Sequence, residues 1–272
     1  MLSFFSTIYK IIFVFRDYKH KKISLFSVYQ WLHQFPCRFR LCLFLLLDRI
    51  IFFSEERTGD SLSSINKILL DRLNEDGVDI SHIIYFAHDL EGAGSSHVLL
   101  TLLRDKENLE RRGATILADS RKLGEATLRI GNGAIIYVDD FIGTGRQFLT
   151  NRRNFSDMIL GNFSEFVLAP VICEESFPAL DEVGVTPYPE IKYETISRPL
   201  HDHSSILSPQ DKANMISLCS NIDPKHGLGF SDSAAMVVFY RNSVNNMPLV
   251  FRGNLKQNPY KGIFPRNDDL PF

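Results

Sequence analysis

Short runs of residues that are apolar at every position alternate with longer segments of helical periodicity, and this alternation limits the chain to a few folds. Strands that are apolar throughout are typical of a parallel sheet covered by helices on both faces. The sequence therefore predicts an α/β fold with a mostly parallel sheet. The candidate strands are 83–86, 115–118, 134–138 and 166–169, followed by 191–196 and 234–240. The candidate helices are 24–75, one opening at Ser95, 146–159 and 210–219.

Composition sets the broad class of protein. Of the 272 residues, 44% are hydrophobic and 23% are charged, and the formal net charge is −2. These values exclude a disordered chain, a collagen-like repeat and a uniformly basic nucleic-acid coat. The four cysteines form no C-x-x-C pair and no Cys/His spacing typical of zinc, so we expect neither a disulfide framework nor a structural zinc site, and a cytoplasmic location.

The N-terminal region is both basic and apolar. Up to Arg57 there are nine Lys/Arg and four Asp/Glu, a surplus of +5, and a basic cluster spans 16–22. That cluster is either a solvated helix flank or a contact for nucleic acid or an acidic partner. The apolar runs 2–15 and 41–53 are shorter than the roughly 20 residues of a membrane-spanning helix, so we expect buried helices and no transmembrane span. An interfacial membrane contact stays open for Phe4, Phe5, Ile11 and Phe13.

The segment 135–147 carries the strongest chemical pattern. The apolar strand ends in Asp139 and Asp140, and a Thr-Gly turn then opens a helix. Ligands of open parallel sheets bind beyond the carboxyl ends of the strands, so a site is expected here. Backbone N–H groups at the start of the helix can surround a phosphate, and the carboxylates can accept hydrogen bonds from ribose hydroxyls, directly or through magnesium and its waters. The candidate phosphate loop consists of Gly143, Thr144, Gly145, Arg146 and Gln147.

This segment has two other interpretations. An ATPase strand with two acids requires a G-x-x-x-x-G-K-[ST] loop upstream, and the sequence has none. An acidic strand end that only caps the next helix stays open.

This segment resembles the phosphoribosyltransferase signature, in which several aliphatic residues precede two acidic residues and a short Thr/Gly-rich loop. The resemblance implies that Asp139 and Asp140 contact the ribose 2′ and 3′ hydroxyls of phosphoribosyl pyrophosphate and that the loop holds its 5′-phosphate. Two positions depart from the usual pattern, because Arg146 replaces a small residue and Gln147 stands where Thr or Ser is common.

The same resemblance implies roles for two further loops. Phosphoribosyltransferases grip pyrophosphate with the loop after their first strand, which here follows His88 and includes Glu91, Gly92, Ala93, Gly94 and Ser95. Ser120-Arg121-Lys122 follows the second strand, where the family often has a basic loop that closes over pyrophosphate, and a solvated turn is the alternative. His201 and His203 are expected to be surface residues more than metal ligands. No general base is assigned.

The order of motifs over about 24–252 resembles the phosphoribosyltransferase-like proteins of bacterial conflict systems. These motifs are Trp31-Leu32-x-Gln34-Phe35, the 92–96 loop, Asp139-Asp140, 227–233 and 245–248. The resemblance implies an effector of antiviral defence, with partners such as a retron-type reverse transcriptase. It also implies that the segment after Gly227 completes the sheet and flanks the pocket. The predicted domains are an N-terminal helical extension (1–78), a phosphoribosyltransferase-like domain (79–252) and an irregular tail (253–272).

The leading hypothesis is a phosphoribosyltransferase-like enzyme that binds a ribose 5-phosphate donor, phosphoribosyl pyrophosphate or a nucleotide, with Mg²⁺. A catalytically inactive nucleotide sensor that regulates a partner is the main alternative, favoured by Arg146, Gln147 and the missing base. A nucleic-acid-binding module that uses the basic N-terminal region is a third.

Overall fold

The computed structural model describes residues 4–88, 94–253 and 260–266. The chain forms two compact units, one of residues 57–193 and one that joins residues up to 56 with those from 194 onward. The boundaries between these units, at 56/57 and 193/194, differ from the domain boundaries predicted at 78/79 and 252/253, which remain predictions. The predicted Glu91, Gly92 and Ala93 of the pyrophosphate loop lie outside the described residues.

The 57–193 unit contains most of the predicted strand–helix alternation. Its helices are α4 (Glu55–Glu75, which begins two residues earlier), α5 (Ser95–Glu107), α6 (Leu123–Ile130), α7 (Arg146–Arg153) and α8 (Phe177–Glu182). Its strands are β2 (Ile83–Phe86), β3 (Thr115–Leu117), β4 (Asn132–Val138), β5 (Phe141–Ile142), β6 (Asn162–Cys173) and β7 (Val185–Tyr193).

These six strands form one sheet in which every pairing is parallel. β3, β2, β4 and β6 are neighbours in that order, and β7 also pairs with β6. Asn132 of β4 pairs with Asn162 of β6, and Phe141 of β5 pairs with Val171, so β4 and β5 follow β6 with the same offset. β5 therefore resumes the line of β4 after a break of two residues.

Alternate residues of the strands pack into two cores, one on each face of the sheet. On one face Tyr85, Ile136 and Leu168 pack with residues of α4 and α5. On the other face Phe86 and Tyr137 pack with residues of α6, α7 and α8. The predicted α/β class, with a mostly parallel sheet and helices on both faces, is confirmed.

Several element boundaries differ from the predictions. The helix predicted over 146–159 ends at Arg153, and the strand predicted at 191–196 is β7, which begins at Val185. The segments of α6 and α8 were not predicted. Pro187 and Pro189 lie within β7. Among the described residues, β6 is the only strand that pairs with β7. β7 is therefore an edge strand, where a missing N–H donor is tolerated.

The other unit contains the N-terminal helices and the last third of the chain. Its helices are α1 (Phe4–Tyr9), extended by a π-helical turn over Lys10–Val14, α2 (Leu25–Leu32), α3 (Cys37–Leu46), α9 (Pro209–Ile222) and α10 (Leu249–Arg252). Its strands are β1 (Ile51–Phe53) and β8 (Val237–Phe239).

Two predictions about this unit were wrong. The 24–75 region is not helical throughout, because β1 separates α3 from α4. The strand predicted at 234–240 does not complete the main sheet: β8 pairs in parallel with β1 in a separate two-stranded sheet. Phe53 and Phe239 stack with ring centroids 5.0 Å apart, so both short strands are covered by apolar side chains.

Among the described residues, no helix is long and apolar enough to cross a membrane.

Candidate functional site

Asp139 and Asp140 occupy the two-residue break between β4 and β5. The backbone N–H of Asp139 donates to the Leu168 carbonyl of β6 at 3.0 Å, so sheet pairing continues to the first acid. The N–H of Asp140 donates to Oδ1 of Asp139 at 2.8 Å and so orients that carboxylate. Both residues are partly exposed, and the Asp139 side chain is 15% exposed. The acidic pair is thus fixed by backbone hydrogen bonds while its oxygens remain accessible.

His88 lies beside Asp139, and sequence reasoning missed it. The Nε2 atom of His88 is 3.4 Å from Oδ2 of Asp139, and the histidine side chain is only 2% exposed. Phe86 of β2 pairs with Tyr137 of β4. His88 and Asp139 each lie two positions further along these parallel strands, so they come side by side. Knowledge of this strand register would have identified the pair from sequence.

Ser96, near the start of α5, connects His88 to the central strand. Its hydroxyl donates to the Val138 carbonyl at 2.6 Å and accepts from the backbone N–H of His88 at 3.2 Å. The same oxygen is 3.4 Å from Nδ1 of His88. On its other side the His88 ring meets the Phe148 ring edge-on, with centroids 5.1 Å apart. The imidazole is therefore held by polar contacts and by aromatic packing.

The candidate phosphate loop leads directly into α7. Gly145 is buried and has φ +76°, a left-handed conformation that glycine adopts without strain. A Cβ built there would lie 3.4 Å from that of Ser176. The N–H of Leu149 donates to the Gly145 carbonyl at 2.9 Å, and the earlier N–H groups of α7 have no acceptor within the helix. The helix start therefore presents backbone donors, as an anion site requires.

The remaining members of the loop differ in exposure. Gly143 and Thr144 are half-buried beyond the end of β5, whereas Arg146 and Gln147 are exposed on the first turn of α7. The two departures from the usual signature therefore lie on the solvent side of the helix. Of the predicted pyrophosphate loop, Gly94 and Ser95 are half-buried at the start of α5.

The candidate basic loop at 120–122 is a short 3₁₀ turn after β3. Arg121 donates from Nε and Nη2 to the Asp119 carboxylate, at 2.9 and 2.8 Å. Hydrogen bonds from the Arg121 side chain and backbone lower the pKa of Asp119 to about 2. In this structure the Arg121 guanidinium is thus paired with a neighbouring carboxylate, and a contact with pyrophosphate stays a prediction.

The donor set suits a magnesium ion that is shared with a ligand. Asp139 and Asp140 supply carboxylate oxygens, the hard donors that Mg²⁺ prefers. Within the part of the chain that the structure describes, no group of three His, Cys, Asp or Glu residues could hold a metal ion, and this holds for His201 and His203 too. The residues fit an ion held mainly by phosphate oxygens and waters, which is how Mg²⁺ usually binds.

The comparison with family models decides the relationship. The model of the family PRTase-CE matches residues 28–266. The chain belongs to the PRTase-CE family. Membership confirms the predicted phosphoribosyltransferase-like character, and the match runs from within α2 to residue 266, beyond the parallel sheet in both directions along the chain. No curated protein matches the chain well enough to count as a relative.

Solved structures similar to this PRTase-CE chain include two purine phosphoribosyltransferases. The hypoxanthine-guanine phosphoribosyltransferase of Schistosoma mansoni in complex with IMP is 14% identical over 52% of this chain and 66% of that chain, just under two thirds of its length, with a TM-score of 0.32. Hypoxanthine phosphoribosyltransferase of Trypanosoma cruzi with the product IMP is 13% identical over 47% of this chain and 69% of that chain, with a TM-score of 0.29.

A hypothetical protein of Neisseria gonorrhoeae with bound ppGpp is 9% identical over 62% of this chain and 97% of that chain, with a TM-score of 0.35. All three TM-scores are low.

Proposed function

We propose that this PRTase-CE protein binds a ribose 5-phosphate donor with Mg²⁺ and transfers or cleaves at C1′ of the ribose. The observation that carries the proposal is the acidic pair at the break of the central strand, followed after β5 by the Gly145 turn and the start of α7. Carboxylates for ribose hydroxyls and backbone donors for a phosphate thus follow one another at the carboxyl edge of one parallel sheet.

Each part of the site has a role in this proposal. Asp139 and Asp140 accept hydrogen bonds from the 2′ and 3′ hydroxyls and orient the ribose. The 143–147 loop holds the 5′-phosphate, and the 91–95 loop contacts the leaving pyrophosphate. Asp139 and Asp140 would hold Mg²⁺ through ribose hydroxyls or waters, and the ion would supply charge neutralisation for the pyrophosphate leaving group. The chain's own contribution is position and electrostatic stabilisation, which needs no covalent enzyme intermediate.

The test is calorimetric titration of the purified protein with phosphoribosyl pyrophosphate and Mg²⁺. Saturable binding is expected for the wild type, and its loss for the double variant Asp139→Asn/Asp140→Asn. The matched control is Asp181→Asn/Glu182→Gln, which removes two adjacent exposed carboxylates at the end of α8. These residues lie just before β7 begins, at the amino-terminal end of the strands and so away from the acidic pair. Equal affinity in the acidic-pair variant and the control would remove the assignment of the site.

A second candidate function is a nucleotide sensor that retains the pocket without turnover. Arg146 and Gln147 favour it, because a long cation and an amide stand where the phosphoribosyltransferase signature has small or hydroxyl residues. Donor binding without release of pyrophosphate under any acceptor would support the sensor. Release of pyrophosphate that Asp139→Asn/Asp140→Asn abolishes would support the enzyme.

The biological role that we propose is an effector of bacterial antiviral defence with protein partners. The order of motifs from Trp31 to Pro248 supports this role through their resemblance to proteins of conflict systems. Phage plaque counts on bacteria that carry the native locus measure it. Protection that Asp139→Asn/Asp140→Asn abolishes and Asp181→Asn/Glu182→Gln retains is the expected result, and no protection by the wild type against a broad phage panel would contradict it.

A further inference from the structure

The N-terminal helical segment, residues 4–17, is apolar on its outer side as well as on its inner side. Thr7, Ile11 and Phe15 are spaced by four residues and are fully buried, and the Phe15 ring packs edge-on against Phe264 at 5.1 Å. On the other side Phe5 is 83% exposed and Phe13 is 54% exposed. A helix that is apolar all round is normally covered on all sides.

The only charged residue of 4–15 does not change this outer side. Lys10 Nζ donates to the Ile50 carbonyl at 3.1 Å and to the carbonyl of Asp48, so the ammonium group turns toward the interior of this unit. The rings of Tyr9 and Phe13 lie 5.1 Å apart and form a continuous aromatic surface. The outer side of residues 4–15 thus presents aromatic rings without a charge among them.

Exposed apolar side chains are concentrated in the N-terminal part of the chain, which includes this segment. The described residues include fifteen exposed large hydrophobic side chains, and nine of them lie at or before residue 41. Single exposed apolar residues are normal on any surface, but a concentration of this kind marks an interaction surface. We name the members of this set that lie on the segment itself the aromatic surface; they are Phe4, Phe5, Tyr9, Ile12 and Phe13.

The charges beside the aromatic surface identify its partner. Arg16, Lys19, Lys22 and Arg38 are exposed, whereas Asp17 is the only exposed acid between residues 4 and 49. Two copies that met through this surface would bring these cations together, which disfavours self-association. An anionic lipid surface suits both components, because aromatic rings settle at the headgroup level and nearby cations are attracted to the anionic headgroups.

We propose that the aromatic surface lies on an anionic lipid bilayer without crossing it. The ion pairs that Arg16 makes with Asp17 (3.6 Å) and Lys19 with Glu55 (3.2 Å) are exposed and weak, so these cations remain available to lipid phosphates. The proposal is independent of the nucleotide site, which belongs to the 57–193 unit.

The experiment is co-sedimentation of the full chain with vesicles of phosphatidylcholine alone and of phosphatidylcholine with phosphatidylserine. Binding to the anionic vesicles that weakens with salt is expected. Phe5→Ser/Phe13→Ser should weaken it by at least about tenfold. The control Ile68→Ser/Leu128→Ser removes two side chains that are 61% and 70% exposed elsewhere and should change nothing. Arg16→Gln/Lys22→Gln should weaken binding to anionic vesicles only.

The proposal would be overturned by absence of vesicle binding, by equal binding to neutral and anionic vesicles, or by equal loss in the aromatic and control variants. A dimer in solution that Phe5→Ser/Phe13→Ser dissociates would instead assign the aromatic surface to a contact between copies, and this result would also overturn it.

We further infer, from an independent observation, that His88 is a positioning residue for Asp139. This inference rests on the proposed function. The imidazole is 2% exposed, its Nε2 faces Oδ2 of Asp139 at 3.4 Å, and Ser96 and Phe148 fix its other sides. A buried group held in this way restricts the rotation of the carboxylate that receives the ribose hydroxyl.

The test is a double-mutant cycle on the affinity for phosphoribosyl pyrophosphate with Mg²⁺. His88→Phe keeps an aromatic ring and removes the polar contact, so it should weaken binding several-fold, and His88→Gln should restore part of it. In an Asp139→Asn background His88→Phe should have no further effect, because positioning acts through that carboxylate. Unchanged affinity in His88→Phe, or additive losses, would overturn the role of His88. Failure of the wild type to bind the donor would instead refute the proposed function.

Discussion

A largely buried ion pair anchors α7, and with it the candidate phosphate loop, to the central sheet. Arg152 near the end of α7 donates from Nε to Oε2 of Glu165 on β6 at 2.8 Å, and the two side chains are 17% and 11% exposed. The Tyr137 hydroxyl of β4 also donates to Glu165. Burial and the neighbouring carboxylate raise the pKa of Tyr137 far above its usual value, so it remains a donor at every physiological pH.

The exposures set the magnitude that we expect. Removing one partner of a buried pair costs about 3–5 kcal/mol, whereas an exposed pair is worth about 0–1 kcal/mol. Because roughly a sixth and a ninth of these side chains remain exposed, Arg152→Met should lower the free energy of unfolding by about 3 kcal/mol. Tyr137→Phe removes a hydrogen bond to a charged acceptor without a cavity and should cost about 2 kcal/mol.

The assay is urea unfolding followed by far-ultraviolet circular dichroism, with hydrogen exchange of the β4 and β6 amides as a local measure. Adding Glu165→Gln to Arg152→Met removes the unpaired buried charge and should recover at least about 1 kcal/mol. A loss below about 1 kcal/mol in Arg152→Met would refute the reasoning, because the pair would then behave like a surface pair.

Two other predictions concern single residues. Gly133→Ala should lower the free energy of unfolding in urea by more than about 2 kcal/mol, because φ is +153° and the new Cβ would lie 2.0 Å from the His82 carbonyl oxygen. The control is Gly131→Ala, where φ is +80° and no atom lies within 4 Å of the new Cβ. This control should cost only the backbone strain of about 1–2 kcal/mol. Burial raises the pKa of the Cys219 thiol to about 12. Mass spectrometry should therefore find Cys219 unalkylated by iodoacetamide at pH 8 until the chain is unfolded. Alkylation of Cys219 in the native state as fast as that of the exposed Cys37 would contradict this.

The raised pKa of Cys219 also makes the free energy of unfolding depend on pH. The folded state keeps the thiol neutral, whereas the unfolded chain ionises it from the ordinary value of 9.0. Its contribution is therefore fully present below pH 9 and is lost as the pH rises toward about 12. In the same urea assay, Cys219→Ala should reduce the alkaline loss of stability relative to the wild type.

The elements that the sequence predicted well are those whose environment is uniform. Ile83–Phe86 is buried at every position, and the predicted strand has the observed bounds. The helix predicted from Ser95 begins at that residue, where Gly94 ends the preceding loop. In such segments local pattern and tertiary environment agree, so periodicity is sufficient.

The β1–β8 pair could not be predicted in this way. Each strand has three residues, and β1 lies between segments with strong helical character. Ile51 and its partner Val237 are far apart in sequence, so no local pattern links them. The hydrogen bond from the Tyr240 N–H to the Phe53 carbonyl, at 2.7 Å, belongs to the same long-range pairing.

The candidate site was predictable in its residue types and not in its geometry. Asp139, Asp140 and Gly145 stand out because their types and spacing are unusual after an apolar strand. His88 does not, since its contact with Asp139 depends on the register between β2 and β4. A lone histidine after a strand has many structural roles, and only the pairing of Phe86 with Tyr137 assigns this one to the acidic pair.

The break between β4 and β5 gives the acidic pair a property that a simple strand end would lack. β6 pairs with β4 up to Val138 and again with β5 from Phe141, so the backbone is held on both sides of the two aspartates. The position of the backbone that carries the two aspartates therefore depends on main-chain hydrogen bonds and not on contacts of their side chains. Substitution of both by Asn should consequently leave the sheet intact, so that a loss of donor binding in this variant reports the chemistry of the carboxylates and not a loss of fold.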